Sequence, residues 1–282
     1  MNRSMRRVIP ALLLATSVAT ATTYAQAPAG RGQGAGRGAA PAQPAAPAEP
    51  LSALAPENLA KPRPKAPFDL TGNWFIAGGV QGWLFGRTPN VLPKLTPAAQ
   101  KHFDAYAAAT KENKVYRDDI GKCWPAGMPV MMTRVWPIAM IQLPTAIYMI
   151  SEFMDSLRTI YLDGRPHTDP DVVVRTFNGE SVGHWEGDTL VVETKNFTDL
   201  DKHWVDQGIP ASKDFRMIER YKLINNNTLE GEWTLIDPQN WEGEWKGTRR
   251  WNRVTDHDIQ EVECLPDLNE HLQSTSSSVH VR

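Results

Sequence analysis

Alternation of apolar and polar residues is clearest between Ser181 and Thr194, in the sequence SVGHWEGDTLVVET. Gly187-Asp188 fits a two-residue turn between two strands, because glycine tolerates the positive φ that such a turn requires. One face of the predicted hairpin is apolar and is expected to contact a core; it carries Trp185, Leu190 and Val192. The other face is mixed and indicates a wet surface or the wall of a polar cavity; it carries His184, Glu186, Val191 and Glu193.

Similar alternation and turn signals predict a mainly β domain along the rest of the chain. The predicted strands are 131–141, 145–152, 157–162, 172–175, 215–224, 228–236 and one or two strands within 241–254, with 196–213 as a loop. Thr96 suits a helix N-cap and Pro97 the first helical position, which predicts one helix ending near Lys111. We expect an antiparallel, lipocalin-like barrel or strongly bent sheet of about eight to ten strands with one flanking helix.

The first 66 residues predict an export signal followed by a linker. Arg3, Arg6 and Arg7 precede a short apolar run, and residues 1–25 therefore read as a secretory signal peptide. Residues 26–66 are mostly Ala, Pro and Gly, which is typical of a disordered linker, because such a segment buries too little surface to offset its ordering entropy. One β-barrel-like domain with a polar C-terminal tail is expected over residues 67–282.

The charge and the cysteine content of the chain indicate its cellular compartment and limit the classes of binding partner. The chain has 30 basic and 32 acidic residues, and removal of the leader arginines makes it more acidic, which argues against nucleic-acid binding. No segment after the leader is apolar enough to span a membrane as a helix. Export to the periplasm or beyond favours a disulfide between Cys123 and Cys264, the only pairing that two cysteines allow.

Several motifs, taken in order, resemble a group of exported bacterial proteins. They are FDLTGNW, CWPAGMP, Glu152 with the segment from Arg158 to His167, GHWEGDTLVVET, IERY and TLIDP. The resemblance covers nearly the whole domain and implies a lipocalin-like barrel and an exported location, but no particular reaction. The segment Glu261–Cys264 resembles the Glu-x-x-Cys segment of the group, which also favours the disulfide. The chain departs from the group after Cys264, in a Ser-rich tail.

Five charged residues in and beside one predicted hairpin are the candidate catalytic set: Glu152, Arg158, Asp163, Arg165 and His167. A carboxylate near a histidine suits proton transfer, and arginines suit binding of an anion. The alternative is a structural ion network, because paired charges at strand ends are common. A metal site built from His184, Glu186 and the acidic residues near His167 is less favoured, since no recognised ligand motif supports it. No cofactor is expected.

Ten tryptophans are many for one domain. Most are expected in the core, but an aromatic pocket is an alternative for Trp83, Trp124, Trp136, Trp241, Trp245 and Trp251. The candidate ligand-binding residues are Trp136, Tyr148, Tyr161, Glu219, Arg220 and Trp245. Three hypotheses follow: a barrel that binds a small apolar or aromatic molecule, a cofactor-free acid–base enzyme (a lyase, isomerase or hydrolase) in the same cavity, or an envelope interaction protein.

Overall fold

Nine strands form a closed barrel in the structure, a computed structural model that describes residues 50–78, 85, 92–117 and 119–265. The barrel strands are β1 (Gly72–Ile76), β2 (Ile138–Gln142), β3 (Ala146–Ser151), β4 (Ser156–Tyr161), β5 (Glu180–Glu186), β6 (Thr189–Lys195), β9 (Arg216–Asn225), β10 (Thr228–Ile236) and β11 (Trp245–Val254). They are neighbours in the order β1-β11-β10-β9-β6-β5-β4-β3-β2. The predicted antiparallel barrel is confirmed, with one exception: β4 and β5 run parallel.

The predicted register of the hairpin β5–β6 is also confirmed. Trp185 pairs with Leu190 and His184 with Val191, and Gly187 has φ of +58° at the turn. Leu190 and Val192 are fully buried, so the apolar face of the hairpin does point into the core. Trp185 is only half-buried and packs edge-on against Phe68, with 4.8 Å between the ring centroids.

Inward-facing side chains of the barrel form one connected core. Its aromatic part is large: Trp74, Tyr221, Trp233, Trp241, Trp245 and Trp251 are each at most 2% exposed. Phe85 packs against Trp233 and Trp245, and a Cβ at Gly247 would overlap its ring. Trp233 packs against Trp251, with ring centroids 5.5 Å apart, and Trp241 packs against Trp245, with ring centroids 5.9 Å apart. Trp83 lies outside the described residues.

Within the described ranges, two α-helices and a short hairpin accompany the barrel. Helix α1 (Pro56–Leu59) is one turn long, whereas α2 (Pro97–Lys111) is the predicted flanking helix, with Thr96 Oγ1 accepting from the Ala99 amide. Strands β7 (Trp204–Asp206) and β8 (Ile209–Pro210) form a two-stranded sheet within the predicted loop. No helix in the described part of the chain is both long and apolar enough to cross a bilayer.

Two strand predictions were wrong or too long. Residues 172–175 form no strand, and Val172 and Val174 are instead 75% and 84% exposed. In the segment 131–141 only the end is a strand, because β2 starts at Ile138 after a 3-10 turn at Val130–Met132. β-branched residues favour strands only where neighbouring side chains cover them, and Val172 and Val174 are not covered in this way.

Within 241–254, where one or two strands were predicted, the structure has one strand, β11.

Contacts with the barrel begin inside the predicted linker. Thr145 Oγ1 donates to the Ala53 carbonyl at 2.7 Å, and Asn58 Nδ2 donates to Asp163 Oδ2 at 2.9 Å. Ala53 and Asn58 are both 3% exposed. Part of the predicted linker, within residues 50–66, therefore makes specific contacts with the domain that composition does not reveal. The predicted signal peptide and residues 26–49 lie outside the described range.

A C-terminal strap, residues 255–265, follows β11 and crosses the turn between β3 and β4. The predicted disulfide is present: Cys123 and Cys264 are bonded, with 5.6 Å between their Cα atoms. The Val262 amide donates to Asp155 Oδ1 at 3.2 Å, and the His257 carbonyl accepts from Asn73 Nδ2 at 2.6 Å. The strap is therefore held at three points along its length.

Candidate functional site

The parallel contact between β4 and β5 leaves an opening in the barrel wall. Only two residue pairs join these strands, Ile160 with Ser181 and Tyr161 with Val182. The first part of β4, residues 156–159, pairs with β3 on one side, and no strand of the described residues pairs with it on the other. Asn178 covers part of that edge, since its Nδ2 donates to the Leu157 carbonyl at 2.9 Å and to Ser156 Oγ at 3.0 Å.

A cavity of about 580 Å³ lies over this opening. It is bounded by β4, by the turn before β4 and by the segment 173–180 that leads into β5. Leu157 and Val174, two of its apolar wall residues, are 54% and 84% exposed, and Phe177 and Tyr161 supply aromatic surface. The volume lies within the range of small-molecule sites, and exposed apolar side chains around a concavity are typical of binding surfaces.

A second cavity, of about 300 Å³, lies under the C-terminal strap. The rings of Trp136 and Phe153 form one wall, stacked at 20° with centroids 6.4 Å apart. The strap forms another wall with residues 262–265, including the disulfide-bonded Cys264. Segments distant in sequence thus build a mostly apolar pocket that the disulfide holds together.

Met154 lines both cavities. It has φ of +59° and ψ of 33°, and the next residue, Asp155, has φ of +46°. Two successive non-glycine residues in the left-handed region are unusual, and such backbone strain occurs preferentially at functional sites. The turn between β3 and β4 therefore holds Met154 where the two cavities meet.

Arg158 points into the barrel and forms a buried ion pair with Glu219. Its Nη1 donates to Glu219 Oε1 at 3.0 Å, and both groups are at most 2% exposed. The guanidinium also donates to Ser181 Oγ at 3.0 Å and to Thr194 Oγ1 at 2.8 Å. Tyr221 donates its hydroxyl to Glu219 Oε1 at 2.6 Å. All polar groups of this network have partners, as buried charges require.

The pKa values in this network reflect the pairing. Burial by itself lowers the pKa of Arg158, but the adjacent Glu219 carboxylate outweighs burial and raises the pKa above its usual value. Burial and the same carboxylate raise the pKa of Tyr221 well above its usual range. Arg158 is thus a permanently charged structural cation, neutralised by its partner.

Glu152 lies at the end of β3 and pairs with the strap. Its Oε2 is 2.8 Å from His257 Nε2, and the carboxylate side chain is 6% exposed, whereas the imidazole is 38% exposed. The sequence reasoning missed His257, because the two residues are 105 positions apart. A carboxylate that orients a histidine is a general acid–base unit in chemical terms.

Asp163 and Arg165 form a second, separate pair. Arg165 Nε donates to Asp163 Oδ1 at 2.8 Å, and the guanidinium lies 4.0 Å from the centre of the Tyr161 ring. Burial by itself raises the pKa of Asp163, but hydrogen bonds from Arg165 and Asn58 outweigh it and lower the pKa to about 2. These residues anchor the segment that precedes β1.

His167 belongs to a fourth cluster. Its Nδ1 lies 3.1 Å from Glu180 Oε2, and its Nε2 lies 3.5 Å from Glu193 Oε2. Burial by itself raises the pKa of Glu180, but hydrogen bonds from Thr168, His167 and Asn196 lower it below the usual value. The five predicted catalytic residues are thus divided among four clusters, and each cluster is closed by its own partners.

The six predicted ligand-binding residues are also dispersed. Trp136 lines the smaller cavity and Tyr161 the larger one. Trp245 and Glu219 are buried in the core, Arg220 donates to Glu186 Oε2 at 2.8 Å on the outer face, and Tyr148 is half-buried on β3. Leu157, Val174, Phe177 and Asn178 were missed, and the high exposure of the apolar Leu157 and Val174 is the signal that identifies this surface.

No cluster of three or more His, Cys, Asp or Glu residues suited to a metal ion occurs within the described ranges. His184 instead lies 3.1 Å from Glu186 Oε1 on the exposed face of β5, and both side chains are solvated. A cation at this position would have only two converging side chains, fewer than a stable metal site requires.

The fold and the cavities define a closed β-barrel with a small-molecule-sized groove in its outer wall. No family model matches the chain, and no curated protein gives a significant match. A crystal structure of a mutant of the fluorescent protein UnaG is similar at 14% identity, over 66% of this chain and 97% of that chain, with a TM-score of 0.30. The barrel fold is assigned from the strand pairing of this chain itself and not from that similarity.

Proposed function

We propose that this protein is an exported barrel that binds a small apolar or aromatic molecule, and that the site is the larger cavity beside β4. The observation that carries the proposal is the opening between β4 and β5, where Leu157 and Val174 are exposed around about 580 Å³. Exposed apolar surface in a concavity gains free energy when a ligand removes it from water. The core tryptophans pack inside the barrel, so the ligand contacts side chains on the outer wall.

Export is part of the proposal. The charged and apolar leader supports it, and so does the disulfide, because oxidising compartments favour disulfides. The motifs FDLTGNW and GHWEGDTLVVET support membership in the group of exported bacterial proteins that they resemble. The acid–base enzyme has less support, since Glu152, Arg158 and His167 each bind a different partner.

A neutral fluorescent probe, N-phenyl-naphthylamine, tests the proposal. It is expected to bind with increased emission, and Leu157→Asp is expected to weaken binding about tenfold or more, because a carboxylate in the apolar wall must lose water when the probe binds. Ile224→Asp is the matched control, since Ile224 is a strand residue of β9 with 51% exposure. Equal loss in both variants, or no binding to the wild-type protein, would refute the site.

A further inference from the structure

The two cavities meet at a single side chain, and this arrangement limits the shape of the ligand. Met154 lines the cavity of about 580 Å³ and also that of about 300 Å³. Methionine is unbranched and flexible, so its side chain can move aside where a branched residue would block the way. A molecule in the larger cavity can therefore extend past Met154 and under the strap.

The smaller cavity has the character of a site for the apolar end of such a molecule. Its walls include Ile120, Trp136, Phe153 and Val262, and its one ionisable wall residue, Glu263, is exposed to solvent. An alkyl chain gains contact with the stacked Trp136 and Phe153 rings there, and most of the surface that it covers is apolar.

The larger cavity has the character of a site for the polar end. Its charged wall residues are Asp155, Glu180 and Arg158, and Glu219 neutralises Arg158. Asn178 Oδ1 is buried and accepts no hydrogen bond from the described residues. Both acidic side chains already accept hydrogen bonds from the protein, Asp155 from the Val262 amide and Glu180 from Thr168, so what they offer a ligand is their negative charge. That charge favours a positively charged ligand end, and the unpartnered Asn178 Oδ1 favours one that donates a hydrogen bond.

We infer that the two cavities form one elongated site for a long-chain alkyl molecule with a cationic, hydrogen-bond-donating end. The inference rests on the proposed function and specifies its ligand. The cationic end lies by Asn178 and Glu180, and the chain passes Met154 into the space under the strap.

A series of alkylammonium ions below their micelle-forming concentrations tests this inference, with affinity measured by calorimetry and by displacement of N-phenyl-naphthylamine. Affinity is expected to rise about two- to fourfold per methylene from hexylammonium through octylammonium to dodecylammonium. Val262→Trp fills the smaller cavity and is expected to abolish the gain from octylammonium to dodecylammonium. N-phenyl-naphthylamine binding in the larger cavity is expected to stay unchanged in this variant.

Two further variants and an anionic ligand serve as controls. Leu265→Trp places a second filling side chain on an exposed wall residue, which is 48% exposed, and Ile224→Trp adds the same ring away from both cavities. Thermal unfolding confirms that each variant is folded. Dodecanoate has a chain of the same length with an anionic end, and it is expected to bind about tenfold more weakly or worse than dodecylammonium.

Each result has a defined meaning. A wild-type affinity that stops rising at octylammonium, with the probe still bound, overturns the elongated site and leaves the proposed function intact. Full dodecylammonium gain in both filled variants also overturns it. Equal affinity for dodecanoate overturns the cationic end. Failure of the probe to bind refutes the proposed function itself.

Discussion

At the residue scale, the barrel accommodates buried polar side chains in two ways. Arg158 has a charged partner and a full set of hydrogen bonds. His203, 1% exposed among Phe177, Phe197 and Phe215, has one bond, from Nε2 to the Met128 carbonyl at 2.7 Å. Its Nδ1 is buried with no donor to it among the described residues. This imidazole is therefore neutral, and burial lowers its pKa from 6.5 to about 4.

The buried imidazole predicts sensitivity to acid. The unfolded chain takes up the His203 proton near pH 6.5 and the folded protein only near pH 4, so the free energy of unfolding falls as pH drops between these values. The expected loss from this residue is about 3 kcal/mol. His203→Gln keeps a donor for Met128 but does not titrate, and its unfolding in urea should depend less on pH. Identical pH dependence in both proteins would contradict the prediction.

At the element scale, β4 determines both the interior network and the outer site. Alternation along β4 turns Arg158 inward to β9, where Glu219 lies, and Leu157 outward to the larger cavity. Ser181 on β5 and Thr194 on β6 bind the same guanidinium. The ion pair thus joins strands on both sides of the parallel contact, where only two backbone pairs connect β4 and β5.

Removing one partner of the Arg158–Glu219 ion pair should lower the free energy of unfolding more than removing both partners. Arg158→Met leaves the Glu219 carboxylate buried without its cation, and the free energy of unfolding is expected to fall by about 3–5 kcal/mol. The double variant Arg158→Met with Glu219→Leu leaves no unpaired charge and should recover most of that loss. Urea unfolding of the two variants measures the difference, and a double variant as unstable as the single one would count against the pairing energy.

At the scale of the whole molecule, the strap and disulfide connect parts of the chain that the barrel leaves apart. The bond joins Cys123, in the loop after α2, to Cys264, at a sequence separation of 141. Between them lie eight barrel strands from β2 to β11, so the bond constrains most of the unfolded chain. It also closes one wall of the smaller cavity.

Loss of the disulfide should destabilise the protein and loosen the strap. Replacing Cys123 and Cys264 by serine is expected to lower the free energy of unfolding by about 4 kcal/mol, because the unfolded chain regains loop entropy. Hydrogen exchange should increase in residues 255–265 more than in the barrel strands. A reductant should produce the same changes in the wild-type protein and none in the double serine variant; unchanged exchange in the strap would refute its dependence on the bond.

Much of the barrel was predictable because its signals are local. Alternation in the segment 181–194 and the glycine at its turn determine a register, since a shift of one residue would expose Leu190 and Val192. Thr96 and Pro97 mark a helix start through their own backbone preferences. The single disulfide was predicted from the presence of only two cysteines and from the predicted export leader.

The candidate site could be identified only from the tertiary structure, because its parts are distant in sequence. Glu152 was expected near His167 but meets His257, 105 residues away, and Arg158 meets Glu219, 61 residues away. Local pattern shows which face of a strand is apolar, but the closure of the barrel decides which strands face each other and where the wall stays open. By itself, then, the sequence determined most of the strands, their inward faces and the cysteine pair, whereas packing across the closed barrel decided the partners of the charged residues and the position of both cavities.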